Sequence, residues 1–441
     1  MQTASKKVIN GWAMYDWANS VYNLVITTTF FPVYYTEMTS ASPFNGQVSF
    51  LGRTYVNTAL YNYALAATYL LVAILLPILT SVADYKGNKK RFMQVFCTVG
   101  AIACSSLYFF RPEYFSIGII CMMIAAFGFY CSLPFYNSYL PEIAAEKDRD
   151  RISAKGFTYG YMGSVLMQII GFLLVLFWDQ LPFLNSAGDA VRLTFLLVGL
   201  WWFGFAQIAF KRLPVGNAIK TTEHQKNFIT GGFSELQKVF RHLMQLPVLK
   251  RFLFAFFFYN MGVQTVMLAA TNFGSKVLNL PSTKLIITVV LIQLVAIAGA
   301  HLMARLSGKF GNLQVLIGVV LFWIVICIAG YLMQTEYHFY AIAIAVGLVM
   351  GGIQALSRST YSKLMPVTED TASFFSFYDV TEKIAIVIGL SLFGLIEEWT
   401  NDMRNSVLSL IVFFTVGLIW LLAALYKQNN LKRISHEAIQ H

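Results

Sequence analysis

The chain has 441 residues, of which 57% are hydrophobic and only 12% charged, about half the charged share of an ordinary soluble domain. That much apolar surface excludes a single water-soluble core and leaves lipid as the solvent. The formal net charge of +11 follows membrane topology, as shown below, so nucleic acid is not expected as a partner.

Twelve apolar stretches, each near the ~20 residues needed to cross the hydrocarbon of a bilayer, read as transmembrane helices over 11–35, 59–82, 92–111, 114–138, 156–178, 191–210, 251–273, 284–306, 314–334, 338–361, 374–396 and 405–426. The first begins near Gly11 and is much longer than a signal-peptide core, so no cleaved leader is expected. Within it Asp16, Asn19, Asn23 and Thr27 are spaced three, four and four apart, which puts them on one helical face; Tyr15 and Tyr22 flank that face. The fourth span carries Tyr130, Pro134 and Asn137 on one face, and the fifth carries Gly156, Gly160 and Gly163, small residues that let helices approach closely.

The longest hydrophilic break, 211–250, divides the spans six and six, giving halves over 1–210 and 251–441. In it Phe233, Leu236, Val239, Phe240, Leu243 and Met244 recur at helical spacing, with Lys238, Arg241 and His242 between them. That pattern predicts an amphipathic helix on the cytoplasmic membrane surface, with partner binding as the other reading. Asn260, Gln264 and Thr271 share a face of the seventh span. Gly347, Gly351, Gln354, Arg358 and Tyr361 share one of the tenth, and Asp379, Glu382 and Lys383 open the eleventh.

Of the 32 Lys and Arg, only Arg53, Arg111, Arg192, Lys276, Lys284 and Arg404 fall on one side, and Lys383 lies within a span; all the rest fall on the other side. The positive-inside rule makes that richer side cytoplasmic and places both termini there, in the inner membrane if the source is bacterial. All five cysteines lie inside predicted spans without a pairing or metal-ligand pattern and read as packing residues.

The halves resemble one another. Ser81 to Asn88, before Lys89, Lys90 and Arg91, matches Leu306 to Asn312 at an offset of 224 from Gly87 to Gly311; Asn137 to Pro141 matches Ser362 to Pro366 at 225 from Pro141 to Pro366. Two nearly equal offsets point to a six-helix repeat, a recurrent transporter design with its site between the halves.

Asp84-Tyr85-Lys86-Gly87-Asn88-Lys89-Lys90 resembles the loop motif of the major facilitator superfamily, with Tyr85 and Asn88 where Arg is usual. Trp12 to Ser20, Tyr259 to Thr265 and Gly351 to Ser359 resemble its vacuole-effluxer-like branch, also called the unknown major facilitator group; members often carry an acid where this chain has Met261. The resemblance covers nearly the whole chain. It implies an all-α membrane protein of twelve helices in two pseudo-symmetric six-helix halves, alternating-access transport, and a central cavity lined by the first, fourth, seventh and tenth spans. Its fungal relatives suggest amino-acid export from a compartment.

Substrate or coupling roles are expected of Asp16, Asn19, Tyr22, Asn23, Tyr130, Asn137, Asn260, Gln264, Gln354 and Arg358, because a polar group at mid-membrane costs about 2.5–3.5 kcal/mol when charged and needs a reason. Asp16 either couples a proton or contacts solute, or else it pairs with a cation or caps a helix. Arg358 grips a substrate carboxylate, pairs with Asp379 or Glu382, or snorkels to headgroups. Asp379 and Lys383 stand at i,i+4, a spacing that permits a local ion pair. Gating is expected of Asp84, Gly87, Gly311 and Asp379, with Asp84 docking on a helix N-terminus when the cytoplasmic side closes. His301 and His338 are isolated and read as structural. No nucleotide fingerprint, metal pair or catalytic triad appears, so neither an enzyme nor a cofactor is expected. The function read is secondary active transport of a small polar solute, an amino acid or related metabolite, coupled to an ion such as the proton. Export of amphipathic compounds, which the 16% aromatic content would suit, and a non-transporting receptor or scaffold are the alternatives. The partners expected are solute, coupling ion and membrane lipid, with the chain a monomer.

Overall fold

Backbone amides in hydrocarbon find no water, so each apolar stretch must close its hydrogen bonds on itself. The computed structural model describes residues 2–215 and 228–440 and is almost wholly helical. In chain order it runs α1 (Lys6–Val21), a π-helical segment (Tyr22–Phe30), α2 (Phe31–Ser40), a hairpin of β1 (Gln47–Phe50) and β2 (Arg53–Val56), then α3 (Asn57–Lys86), α4 (Lys89–Ser106) and α5 (Phe115–Asn137). A short α6 (Leu140–Ile143) leads to α7 (Arg149–Leu176) and α8 (Ala187–Arg212). Then follow α9 (Phe228–Gln245), α10 (Pro247–Leu278), α11 (Ser282–Phe310), α12 (Asn312–Leu332), α13 (Glu336–Leu364), α14 (Thr371–Thr400) and α15 (Met403–Gln440).

All twelve sequence-read spans fall on helix. Among the described residues ten helices are long and apolar enough to cross a membrane. The two spans outside that set are the first and the eleventh. The first is split by the π segment and carries Asp16, Asn19 and Asn23; α14 carries Asp379, Glu382 and Lys383. These polar residues line the central cavity described below.

In the N-terminal part α1 packs on α7 and α8, and α4 packs on α5 and α8; in the C-terminal part α10 and α12 pack on α15, and α11 on α13. Each part has its own apolar core, one around Trp12, Tyr136 and Trp202, the other around Trp323, Phe414 and Tyr259. Between them run two main seams, α3 against α14 and α7 against α11. These exchange with one another when the parts are exchanged, as a two-fold repeat requires.

The predicted amphipathic helix is α9, but its apolar face does not simply lie on lipid. Val239 and Leu243 are buried, Phe240 and His242 meet the rings of Phe377 and Phe374 on α14, and the helix also packs on α3. The side chains of Phe233 and Thr271 and residues 216–227 lie outside the described residues.

The bundle is sealed at the end holding both termini and open at the other. At the open end a cavity of about 880 Å³ is lined by residues such as Tyr61 and Asn62 at the start of α3 and Glu397 and Glu398 at the end of α14. At the sealed end Asp84 accepts from the first amides of α14, Ala372 N at 3.3 Å and Ser373 N at 2.7 Å, and from Ser373 Oγ at 2.7 Å. An anion is favoured at a helix N-terminus. Gly87 ends α3 at φ 63°, a left-handed cap that turns the chain into α4 and that glycine adopts without steric penalty. On the other seam Asp150 accepts from Ser307 Oγ at 2.8 Å, Asn312 Nδ2 at 2.7 Å and Lys363 Nζ at 2.6 Å. Gly311 ends α11 at φ 91°. Lys89 pairs with Glu142, which also accepts from Thr371 Oγ1.

Candidate central cavity

The large open cavity narrows to a central one of about 160 Å³ that shares Leu24, Thr28, Tyr69, Met267 and Leu268 with it. Nine of the ten residues expected at the substrate site line it: Asp16, Asn19, Asn23, Tyr130, Asn137, Asn260, Gln264, Gln354 and Arg358. Tyr22 does not. Its ring packs on Trp202 and its hydroxyl donates to Met122 O at 3.4 Å. It stands six residues from Asp16, off the face of the stripe, and it begins the π segment. Gly347 and Gly351 also miss the cavity. A Cβ at either would meet backbone of α11, so they serve helix approach.

The floor of the cavity is an ion pair across the two parts. Arg358 Nη1 and Nη2 each lie 3.3 Å from Asp16 Oδ2. Arg358 Nε donates to Ser153 Oγ at 3.0 Å, Nη2 to Ser153 O at 2.9 Å and Nη1 to Asn137 Oδ1 at 3.4 Å. Tyr136 Oη donates to the same Asp16 oxygen at 2.7 Å. The guanidinium lies between rings, 4.3 Å from the centroid of Phe157 and 4.8 Å from that of Trp12, a contact the ring quadrupole favours. Both charged residues are buried, at 6% and 4% exposure, a setting in which a pair holds only if its remaining valences are satisfied. Gly156 makes room for them. A Cβ there would overlap Asp16 Oδ2 and stand 2.8 Å from Arg358 Nη2.

Arg358 therefore takes none of the partners read from its own stretch of sequence; it neither meets Asp379 or Glu382 nor snorkels. Its partner comes from 342 residues away. Asp379 lines the cavity rather than the sealed face, and the local pair expected at i,i+4 is replaced by Lys383 with Glu382. Asn137 Nδ2 donates to Asp379 Oδ1 at 3.5 Å, so Asn137 bridges Asp379 and Arg358. Gln264 Nε2 reaches Glu382 Oε1 at 3.2 Å, Tyr130 Oη donates to Asn23 Oδ1 at 3.3 Å, and Tyr161 Oη donates to Gln354 Oε1 at 2.6 Å. The sequence reading passed over Tyr136, Ser153, Tyr161 and Asp150. Gly156, flagged for helix approach, sits three residues past Ser153 and was the nearest signal to it.

A family model described as vacuole effluxer Atg22 like matches residues 4–432. The chain belongs to that family. Within this Atg22-like family it is 32% identical over 411 residues to a Bacillus subtilis protein called an uncharacterized MFS-type transporter, covering 93% of each chain. It is 25% identical over 402 residues to autophagy-related protein 22 of Kluyveromyces lactis, covering 84% of this chain and 80% of that one. Its fold is similar to that of the major facilitator superfamily transporter FucP in the outward conformation, with a TM-score of 0.68 at 15% identity over 95% of this chain and 98% of that one. The Atg22-like chain is thus a multi-pass membrane protein with the all-α major facilitator fold, a secondary transporter and not an enzyme.

Proposed function

We propose that the protein moves a small polar solute, an amino acid or related metabolite, by rocking its two six-helix halves about the central cavity, with Asp16 and Arg358 coupling that motion to an ion, the proton first among the choices. The observation that carries this reading is the buried Asp16–Arg358 pair between the halves, set between the cavity and the sealed face. Opening that face must separate α13 from α1 and α7 and break the pair. Separating two buried charges is expensive unless one is neutralised or given a new partner. A proton on Asp16 or a solute carboxylate on Arg358 does this, which ties opening to cargo. The positive-rich side being cytoplasmic, the state described faces outward, and both termini lie inside. Impermeant thiol labelling of intact cells at Arg53→Cys, in a background without native cysteines, checks the orientation.

The coupling test uses Asp16→Asn in vesicles given a mixture of the twenty radiolabelled amino acids. The amide mimics the protonated acid, so exchange should persist while uptake driven by a pH gradient is lost. Intact gradient-driven uptake per folded molecule overturns proton coupling at Asp16. Parallel loss of both activities points to solute recognition instead.

A further inference from the structure

Among the described residues five charged side chains line the central cavity: Asp16, Arg358, Asp379, Glu382 and Lys383. Three acids face two bases. Arg358 is committed to Asp16, and Lys383 is bonded to its neighbour Glu382. Asp379 has no ion pair of its own among the described residues. It is 1% exposed, its Oδ1 receives one long contact from Asn137, and its Oδ2 has no hydrogen-bond partner among the described residues. A buried carboxylate oxygen without a donor carries the full desolvation penalty of a charged group, so this position is built for something that arrives.

Donors stand unpaired in the same cavity. Asn19 Nδ2 and Asn260 Nδ2 have no acceptor among the described residues, and both residues are at least nine-tenths buried. A ligand that satisfies these groups carries a cationic donor for Asp379 and an acceptor for the two amides. We propose that Asp379 is the cation subsite of the cavity and binds the ammonium group of the solute, while Asn19 and Asn260 bind its oxygen atoms. The inference rests on the polar-solute reading above and adds the chemical requirement for an ammonium group.

The arrangement also gives the subsite a consequence. Asn137 donates to Asp379 through its Nδ2 and accepts from Arg358 through its Oδ1. An ammonium drawing on Asp379 competes with the Asn137 amide and frees it to turn. That loosens one contact holding Arg358 in the floor pair. Occupancy at Asp379 is thus felt at the element that must break for the sealed face to open.

The test is a thermal-shift titration of the purified full-length protein with each of the twenty L-amino acids, the amine made by removing its carboxylate, and the acid made by removing its amine. Wild type should be stabilised by compounds that keep the ammonium group and not by the deaminated acids. Asp379→Asn should raise the half-saturating concentration of those compounds by at least about tenfold, as loss of one partner of a desolvated charge pair does, and Asp379→Glu should retain the ammonium requirement. Should Asp379→Asn not purify as a monodisperse species, Asp379→Ser and the wild-type comparison of amines with acids still decide the question. Stabilisation of wild type by deaminated acids alone would overturn the subsite and leave polar-solute transport standing. Amine binding unchanged in Asp379→Asn would do the same. No stabilisation by any compound of the panel would overturn the subsite and count against the amino-acid reading with it.

Discussion

The two seams that close the terminal end do the same task with opposite chemistry. On the α3–α14 seam the acid, Asp84, sits at the end of the helix that leaves the seam, and backbone amides at the start of α14 receive it. On the α7–α11 seam the acid, Asp150, sits at the start of the helix that enters, and the side chains of Ser307 near the end of α11 and Asn312 at the start of α12 bond to it together with Lys363. Exchanging the halves carries the end of α3 onto the end of α11 and the start of α14 onto the start of α7. Position is therefore conserved by the repeat while donor and acceptor have traded places. What the fold requires at each seam is a satisfied polar contact that breaks when the halves part; which side supplies the charge is free.

The difference sets the size of the expected effects. Asp150→Ala leaves the largely buried Lys363 without its carboxylate, its ammonium still donating to Asn312 Oδ1 at 2.9 Å, and should disfavour the sealed state most, by about 3 kcal/mol, the low end for breaking a buried ion pair. Spin labels at Lys147→Cys and Lys309→Cys, across that seam, should report a shift to longer distances. An unchanged distance distribution would mean that Asp150 is dispensable there. Lys363→Ala in the same background should restore part of the sealed population, since it removes the stranded charge.

Asp84→Asn keeps the size and one acceptor oxygen but loses the charge. Its effect should be smaller, about 2 kcal/mol, the scale of hydrogen bonds made to a charged group. Labels at Lys86→Cys and Glu369→Cys read that seam, and transport turnover should fall at matched expression. Turnover equal to wild type would remove Asp84 from the gate. Because the two contacts share no partner, Asp84→Asn combined with Asp150→Ala should add to within about 0.5 kcal/mol. A larger discrepancy would show that one seam senses the other. The smallest effect is expected of Gly87→Ala, which forces a Cβ into the left-handed region at a cost of about 1 kcal/mol. It should lower the melting temperature modestly while leaving the distance distribution of the α7–α11 seam unaltered.

The same contrast explains what the sequence disclosed. Asp84 was legible because its acid lies inside a recognisable loop, Asp84 to Lys90, next to a helix end. Asp150 was not, because the matching loop, Leu306 to Asn312, has lost its acid and the replacement lies on the facing helix, 157 residues from Ser307. In the cavity, the stripe Asp16, Asn19, Asn23 was legible because side chains three and four apart share a helix face. The partners expected for Arg358 within the chain, Asp379 and Glu382, were near in sequence, and its partner Asp16 is distant. Tyr22 lies six residues from Asp16, off that face, and its ring packs on Trp202 instead of lining the cavity. The periodicity of α9 shows that a face is apolar and does not tell lipid from protein as the surface that covers it.

Gly156 gives the floor pair its room, and the consequence reaches beyond packing. Asp16, Arg358 and Trp12 close in on the point where a first side-chain carbon would stand. A single methyl group placed there would act as a doorstop between α7 and the two helices it meets, wedging the terminal end ajar. The closed arrangement of the terminal end is in this sense set by an atom that the chain does not have.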